Sequence, residues 1–505
     1  MTNPLYAALF APLARRDGVL MQLADGGTMT GRAFHDLVGR AANALLAAGV
    51  RPGDRVAVQV GKSPQALAVY AAAVSIGAVF LPLNTAYTPV ELGYFLGNAT
   101  PRLFLCDPAR EAVMAPVAAA TGTGLMTLDG PRGSFADAMA GQGAEFHPAA
   151  RQSGELAAIL YTSGTTGRSK GAMLSHDNLL SNARVLADLW QFTEHDVLLH
   201  ALPIFHTHGL FVASNTVFLT GGQMIFLPGF DLEQVLAALP RATTMMGVPT
   251  FYTRLLEDAR FSRDLVAHMR LFVSGSAPLL ADTHLAFEAR TGHRILERYG
   301  MTETNMNTSN PYMGERRAGT VGFPLPGVEL RIMVDGQEVP PGEVGGIEVR
   351  GPNVFSGYWQ MPEKTAEELR PDGWFITGDL GRVDADGYVQ IVGRAKDLVI
   401  TGGYNVYPIE VEMGLDEQPG VLESAVIGLP HPDFGEAVFA VLVAQKGCVL
   451  APDTVLAGLR DGLARFKQPK AAVVVPALPR NAMGKVQKAE LRKTYANWFM
   501  GQENS

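Results

Sequence analysis

Residues 161–176 read YTSGTTGRSKGAMLSH, a run of hydroxyls and glycines closed by one lysine. Glycines let backbone N–H groups approach an anion closely, Thr162, Ser163, Thr165 and Thr166 can donate hydrogen bonds, and Lys170 adds positive charge. Phosphate is the ligand this chemistry suits. The spacing Gly164-x-x-Gly167-x-x-Lys170-Gly171 is not that of a Walker loop, which needs four residues between its first glycine and Gly-Lys-Ser/Thr. Two further clusters carry polar groups into apolar surroundings. His206 and His208 interrupt HALPIFHTHGL, and Arg254 follows VPT in MGVPTFYTRLL.

These residues need a scaffold, and the pattern around them supplies one. Short β-branched runs (RVAVQV, AVFLPL, RLFLCD, LAAILYT, VLLHALP, GQMIFLP, MRLFVSGSA) alternate with helical stretches, which predicts α/β layering with largely parallel sheets. The anion loop follows LAAILYT and therefore sits at a strand's carboxyl end, where open α/β sheets bind ligands. Ser175 is placed to cap the helix SHDNLLSNARVLADLW. From about Gly319 the texture changes to Gly/Pro turns and short strands (VELRIMV, GGIEVRG, GYVQIVG), predicting a small β-rich subdomain. Beyond GRAKDLVITGGYN the order helix, strand, strand, helix, strand predicts a compact α+β unit, with a boundary at 394–397.

Composition narrows the class. A chain of 505 residues exceeds one hydrophobic core. With 47% hydrophobic and 18% charged residues it is a folded globular protein, and a net charge of −8 argues against nucleic acid or an anionic membrane surface as partner. Two cysteines, Cys106 and Cys448, offer neither a disulfide framework nor metal-ligand spacing, so a reducing, cytoplasmic setting is expected. MTNPLYAALFAPLARR has its arginines after the apolar run, the wrong order for a secretory signal, and reads as an amphipathic first helix. The uncharged residues 63–90 are broken by Gln65, Gly77, Pro82 and Asn84 and read as a helix plus a buried strand, not a membrane span.

Five motifs in order, YTSGTTGRSKG, YGMTE, TGD, GRAKDLVITGGYNVYPIEVE and LPRNAMGKVQK, make the chain similar to the adenylate-forming superfamily of acyl-CoA synthetases, peptide-synthetase adenylation domains and luciferases. The resemblance covers nearly the whole chain. It implies a large N-terminal domain (1–393) of layered α/β subdomains with the β-rich subdomain, a hinge (394–397) and a small mobile α+β C-terminal domain (398–505). It implies that ATP is held by the 162–170 loop (Thr162, Ser163, Gly164, Thr165, Thr166, Gly167, Lys170), by Gly275, Ser276 and Ala277, and by Glu297, Arg298, Tyr299 and Gly300. Asp379 and Arg394 would hold the ribose. Glu303 would bind Mg²⁺, a hard cation that favours carboxylate and phosphate oxygens. Thr302 would touch the α-phosphate, and Lys485 the α-phosphate and the attacking carboxylate. Lys396 would be the hinge, where many members carry Asp. Gly402, Gly403 and Tyr404 would line the pantetheine arm of coenzyme A. A lysine acetyltransferase acting on Lys485 would remove its charge.

The acid must be inferred from the pocket. An inward arginine is costly unless an anion pairs with it. A dicarboxylate would supply that anion to Arg254, whereas an outward Arg254 would carry no such meaning; the helix spacing leaves both open. HALPIFHTHGLFVASN, MGVPTFYTRLL, SGSAPLLADTH and YGMTETNMNTSNPY together resemble malonyl-CoA synthetases, which join malonate, and often methylmalonate, to coenzyme A. That resemblance makes Arg254 the carboxylate clamp, with His206 and Ser276 completing the polar pocket. The rival readings are another short-chain or dicarboxylate synthetase, an adenylation module loading a carrier protein, and a binding protein without activity. No carrier module is expected after AELRKTYANWFMGQENS. Retention of Lys170, Glu303, Asp379, Arg394 and Lys485 argues against an inactive site.

Overall fold

The structure, a computed structural model, describes residues 3–162, 169–460, 462–481 and 484–500. Two compact units emerge: residues 1–329 with 349–375, and 330–348 with 376–505.

The first unit is built on two sheets. In one, Gly124–Thr127, Leu103–Cys106, Arg55–Gln59, Val79–Pro82 and Leu156–Thr162 lie side by side in parallel, and Lys170–Ser175 closes the edge antiparallel to Leu156–Thr162. In the other, Leu296–Met301, Leu271–Ser274, Thr244–Gly247, Val197–His200, Gln223–Phe226 and Val19–Leu23 are neighbours in that order and parallel. The alternation expected from the sequence is therefore present. The carboxyl ends of Val197–His200, Thr244–Gly247 and Leu271–Ser274 open on one edge, and the loops leaving them carry His206, Pro249 and Ser276.

The uncharged stretch after Lys62 becomes the helix Pro64–Ser75, capped by Ser63, whose side chain accepts from Ala66 N–H at 3.1 Å. Every residue from Ala66 to Ser75 is buried, which explains why the segment lacks charge: it has no solvent face. Among the described residues no helix is long and apolar enough to cross a membrane. The first segment is helical, with Leu9, Phe10 and Leu13 buried, but it is a π turn over Tyr6–Phe10 followed by a 3-10 turn over Ala11–Arg15. Pro12, without an N–H and with its ring crowding the preceding turn, accounts for the break in α geometry.

A five-stranded sheet (Gln337–Glu338, Glu329–Val334, Gly345–Arg350, Phe375–Val383, Val389–Arg394) falls mostly in the second unit. The second unit also holds an α+β layer in which Val421–His431, Gly435–Ala444 and Ala471–Val475 lie between Pro408–Asp416 on one face and Lys488–Tyr495 on the other. Residues 394–397 lie inside this unit, as a strand end and the 3-10 turn Ala395–Asp397. Cys106 is buried and Cys448 exposed, and both are free.

Candidate active site

The anion loop is a hairpin connection between Leu156–Thr162 and Lys170–Ser175. Its members Ser163, Gly164, Thr165, Thr166 and Gly167 lie outside the described residues. Thr162 and Lys170 face each other across the strand pair, with the Thr162 hydroxyl 3.4 Å from Lys170 O. Ser175 caps the next helix in a reciprocal box with Asn178. A further segment, 356–359, pairs along the outer edge of Lys170–Ser175: Ser356 N–H donates to Met173 O, Met173 N–H to Gly357 O, and Trp359 N–H to Gly171 O. This pairing brings Tyr358 beside Lys170. The Lys170 ammonium donates to the Tyr358 hydroxyl at 3.0 Å and to both carboxylate oxygens of Glu368 at 3.0 and 2.9 Å. The same hydroxyl donates toward Glu368 Oε2 at 2.6 Å and lies 3.1 Å from Glu303 Oε1. Tyr358 and Glu368 were not signalled by the sequence, because their partner is 188 and 198 residues away.

Glu303 is buried in the turn that follows Leu296–Met301, with Thr302 beside it. Mg²⁺ keeps several waters and takes phosphate oxygens, so one or two carboxylates suffice to hold it. A buried carboxylate beside the phosphate-loop lysine fits that demand. Among the described residues no group of three or more His, Cys, Asp or Glu side chains is arranged as a protein-only metal cage.

A buried cation, Arg298, lies close to Gly275 and His208. On the strand Leu296–Met301, Leu296, Glu297 and Arg298 are all buried. The guanidinium occupies space that Gly275 leaves open: a Cβ there would stand 2.4 Å from Arg298 Cζ. Arg298 Nε and Nη2 have no hydrogen-bond partner among the described residues, and neither does Glu297 Oε2 or His208 Nε2. Desolvation lowers the Arg298 pKa from its ordinary range, although a guanidinium stays protonated even so. Burial pushes the Glu297 carboxyl up to about 8, opposed by a hydrogen bond from Leu279 N–H and by Arg298. A mostly protonated Glu297 leaves the buried cation poorly compensated. Next to it the Ser276 hydroxyl meets His208 Nδ1 at 3.2 Å, and His208 N–H donates to His206 Nδ1 at 3.2 Å. Burial, then Arg298, holds His208 well below the usual histidine range, so it is neutral. Gly275 follows Leu271–Ser274 with its N–H on Gly247 O, and Ser276, before Ala277, has φ 73°. A serine in the left-handed region is uncommon, and its cost is of the kind tolerated at ligand sites. Tyr299 and Gly300 continue the strand; its register slips between them against Asn305–Ser309.

Arg254 is exposed. In the helix Pro249–Leu256 the inward positions are Tyr252 and Leu255, three residues apart, which turns Arg254 to the exposed side. Its guanidinium lies over the Phe230 ring at 5.9 Å and lines a surface hollow with Asp231, Glu257 and Asp258. Carboxylates there would repel a substrate anion. Arg254 thus carries its guanidinium on the exposed side of its helix, and the buried cation is Arg298, which the motif resemblance assigns to ATP.

In the second unit Asp379 and Arg394 are cross-strand partners joined by a 2.6 Å ion pair, the Asp379 side chain being buried. Lys485 lies in a turn closed at both ends by Asn481, which accepts from Lys485 N–H at 3.0 Å and donates its own N–H to Lys485 O at 3.0 Å. Lys485 is exposed, and desolvation and then Arg394 lower its pKa against Asp379 and Asp397. Lys396 is brought down to about 8 by desolvation, then by Arg394 and Lys485 against the opposing Asp397. It projects from the surface, while Asp397 is anchored to Arg492 at 2.6 Å. Gly402 and Gly403 turn the hairpin between Val399–Thr401 and Tyr404–Val406 at φ 55° and 84°, which glycine adopts without strain. Tyr404 is exposed and stacks on Phe466 at 4.8 Å.

Residues 13–359 match the AMP-binding enzyme family, and 410–485 match the AMP-binding enzyme C-terminal domain. The chain belongs to the AMP-binding enzyme family. This family member is 37% identical over 455 residues to a malonate–CoA ligase of Arabidopsis thaliana, covering 83% of this chain and 74% of the relative. It is 38% identical over 479 residues to a feruloyl-CoA synthase of Amycolatopsis sp, covering 93% and 95%. Its fold superposes on the crystal structure of ATP-bound MatB from Rhodopseudomonas palustris with TM-score 0.97 and 56% identity, covering 99% of this chain and all of that one. These likenesses carry no support for an acetyltransferase acting on Lys485.

Proposed function

We propose that this AMP-binding enzyme ligates malonate, and also methylmalonate, to coenzyme A at the expense of ATP, through an acyl-adenylate. The observation that carries the choice of acid is the buried Arg298 with two unpaired nitrogens beside Ser276 and His208. The 56% identity to MatB exceeds the 38% to a feruloyl-CoA synthase and supports the same choice. A second carboxylate would pair with Arg298 in a charge-assisted contact that a monocarboxylate or an aromatic acid cannot make.

In the first half-reaction the other carboxylate attacks the α-phosphorus, the bond to the bridging oxygen breaks, and pyrophosphate leaves with the electron pair. Lys485 and Lys170 offset the charge on the transferring and leaving phosphates. Glu303 would hold Mg²⁺, which neutralises phosphate charge, and Asp379 with Arg394 would hold the ribose. In the second, the thiol of coenzyme A attacks the acyl carbonyl and AMP leaves. A panel of carboxylic acids assayed for pyrophosphate release, with and without coenzyme A, tests the reading. Malonate is expected to give the highest kcat/KM, methylmalonate the next, and ferulate or acetate far lower values. A preference for ferulate or acetate would reject it.

The division into 1–393, 394–397 and 398–505 belongs to the same proposal: rotation of residues 398–505 about Lys396 exchanges Lys485 for Gly402, Gly403 and Tyr404. Lys396→Pro fixes φ near −65° and restricts Ala395. We expect pyrophosphate release to survive in this variant while thioester formation drops about tenfold or more, a drop of at least ~1.4 kcal/mol in transition-state stabilisation. Unchanged overall turnover would place the hinge elsewhere.

A further inference from the structure

The ammonium of Lys170 has three N–H groups, and the structure gives each a partner: Glu368 Oε1 at 3.0 Å, Glu368 Oε2 at 2.9 Å and the Tyr358 hydroxyl at 3.0 Å. A phosphate oxygen can gain an N–H from this lysine only if one of these is given up. Tyr358 is almost fully buried, its hydroxyl bridges Glu368 and Glu303, and its ring lies 4.2 Å from Lys170 Nζ. It is fixed by the strand pairing of 356–359. The exchangeable partner is Glu368, at the end of the short helix Pro362–Glu368. A second cation already waits for it: Lys364 Nζ stands 3.1 Å from Glu368 Oε1. Glu368 can therefore release Lys170 without becoming an unpaired anion. The hydrogen bonds of Tyr358, Lys170 and Lys364 hold its carboxyl below the usual range, against the effect of burial, so it is ionised whenever ATP is bound near neutral pH.

We propose that Glu368 is a positioning residue for the phosphates, an anion built into the chain that contends with ATP and pyrophosphate for Lys170 and so weakens the hold on the leaving pyrophosphate. This rests on the reading of Lys170 as a phosphate ligand. The lysine and glutamate side chains are only 17% and 22% exposed, so the contest takes place where screening by solvent is reduced. The pair's removal is read in ligand binding.

Glu368→Gln removes the competing charge and keeps the shape. Both the KM for ATP and the inhibition constant of pyrophosphate are expected to fall, by about three- to thirtyfold for a half-buried ion pair. Glu368→Asp keeps the charge and is expected to stay near the parent enzyme. In a Lys170→Ala background, which itself raises the KM for ATP, Glu368→Gln is expected to have no further effect on either constant. Pyrophosphate inhibition that is unchanged or weaker in Glu368→Gln overturns the proposal, as does an equal effect with and without Lys170. If Lys170→Ala leaves the KM for ATP unaltered, the phosphate role of Lys170 fails first, and the proposal with it.

Discussion

Replacing Lys485 by alanine is expected to abolish acid-dependent pyrophosphate release while leaving the conversion of supplied malonyl-AMP to malonyl-CoA largely intact. Lys485 is the cation that would meet the α-phosphate and the attacking carboxylate, where negative charge concentrates only during adenylation. Removing one preorganised donor from such a centre costs about a hundred- to a thousandfold in turnover. The thiol's attack on the acyl carbonyl has no use for that cation. Because desolvation and Arg394 lower the Lys485 pKa, the protonated form that adenylation needs is lost at a lower pH than for an ordinary lysine. Pyrophosphate release is therefore expected to fall on the alkaline side before the thioester step does. Equal loss of both half-reactions in Lys485→Ala would end the assignment.

What could be read from the sequence follows from how local each signal is. The helix Pro64–Ser75 carries its cap, Ser63, and its first-turn proline in the adjoining residues. Val421–His431 and Gly435–Ala444 are adjacent in sequence and pair antiparallel. The hairpin Val399–Thr401 with Tyr404–Val406 is not legible in the sequence, because three-residue strands are too short for a period-2 pattern. The Glu303–Tyr358–Glu368–Lys170 chain was out of reach for a different reason: it forms where 356–359 lies along a strand that is far away in sequence. The two arginines show both limits. For Arg254 the helix pattern is legible, since Tyr252 and Leu255 define the apolar side and leave Arg254 off it. For Arg298 strand alternation gives no direction, because Leu296, Glu297 and Arg298 are buried alike. The usable sign was the charged pair in ILERYG, two ionisable residues inside an apolar run.

The contrast between those arginines supplies the strongest test of substrate. Arg298→Met, which roughly keeps the side-chain volume, is expected to lower kcat/KM for malonate by about a hundredfold or more, corresponding to ~3 kcal/mol for a charge-assisted pair in a buried site. Arg254→Ala is expected to change it by less than about twofold, as for surface substitutions away from a site. Thermal stability should move the other way from activity. A buried guanidinium without an anionic partner is a liability in the folded protein, and replacing it with an apolar side chain is commonly neutral or stabilising. The Tm of Arg298→Met is thus expected to hold or rise, which separates loss of the clamp from loss of the fold. Added malonate, which binds only the native state, should raise the Tm of the parent enzyme and leave that of Arg298→Met unmoved. Discrimination should relax as well, because propionate never had a second carboxylate to lose. If Arg298→Met keeps its preference for malonate over propionate, or if Arg254→Ala suffers the larger loss, the buried cation is not the clamp and the choice of a dicarboxylate loses its physical basis.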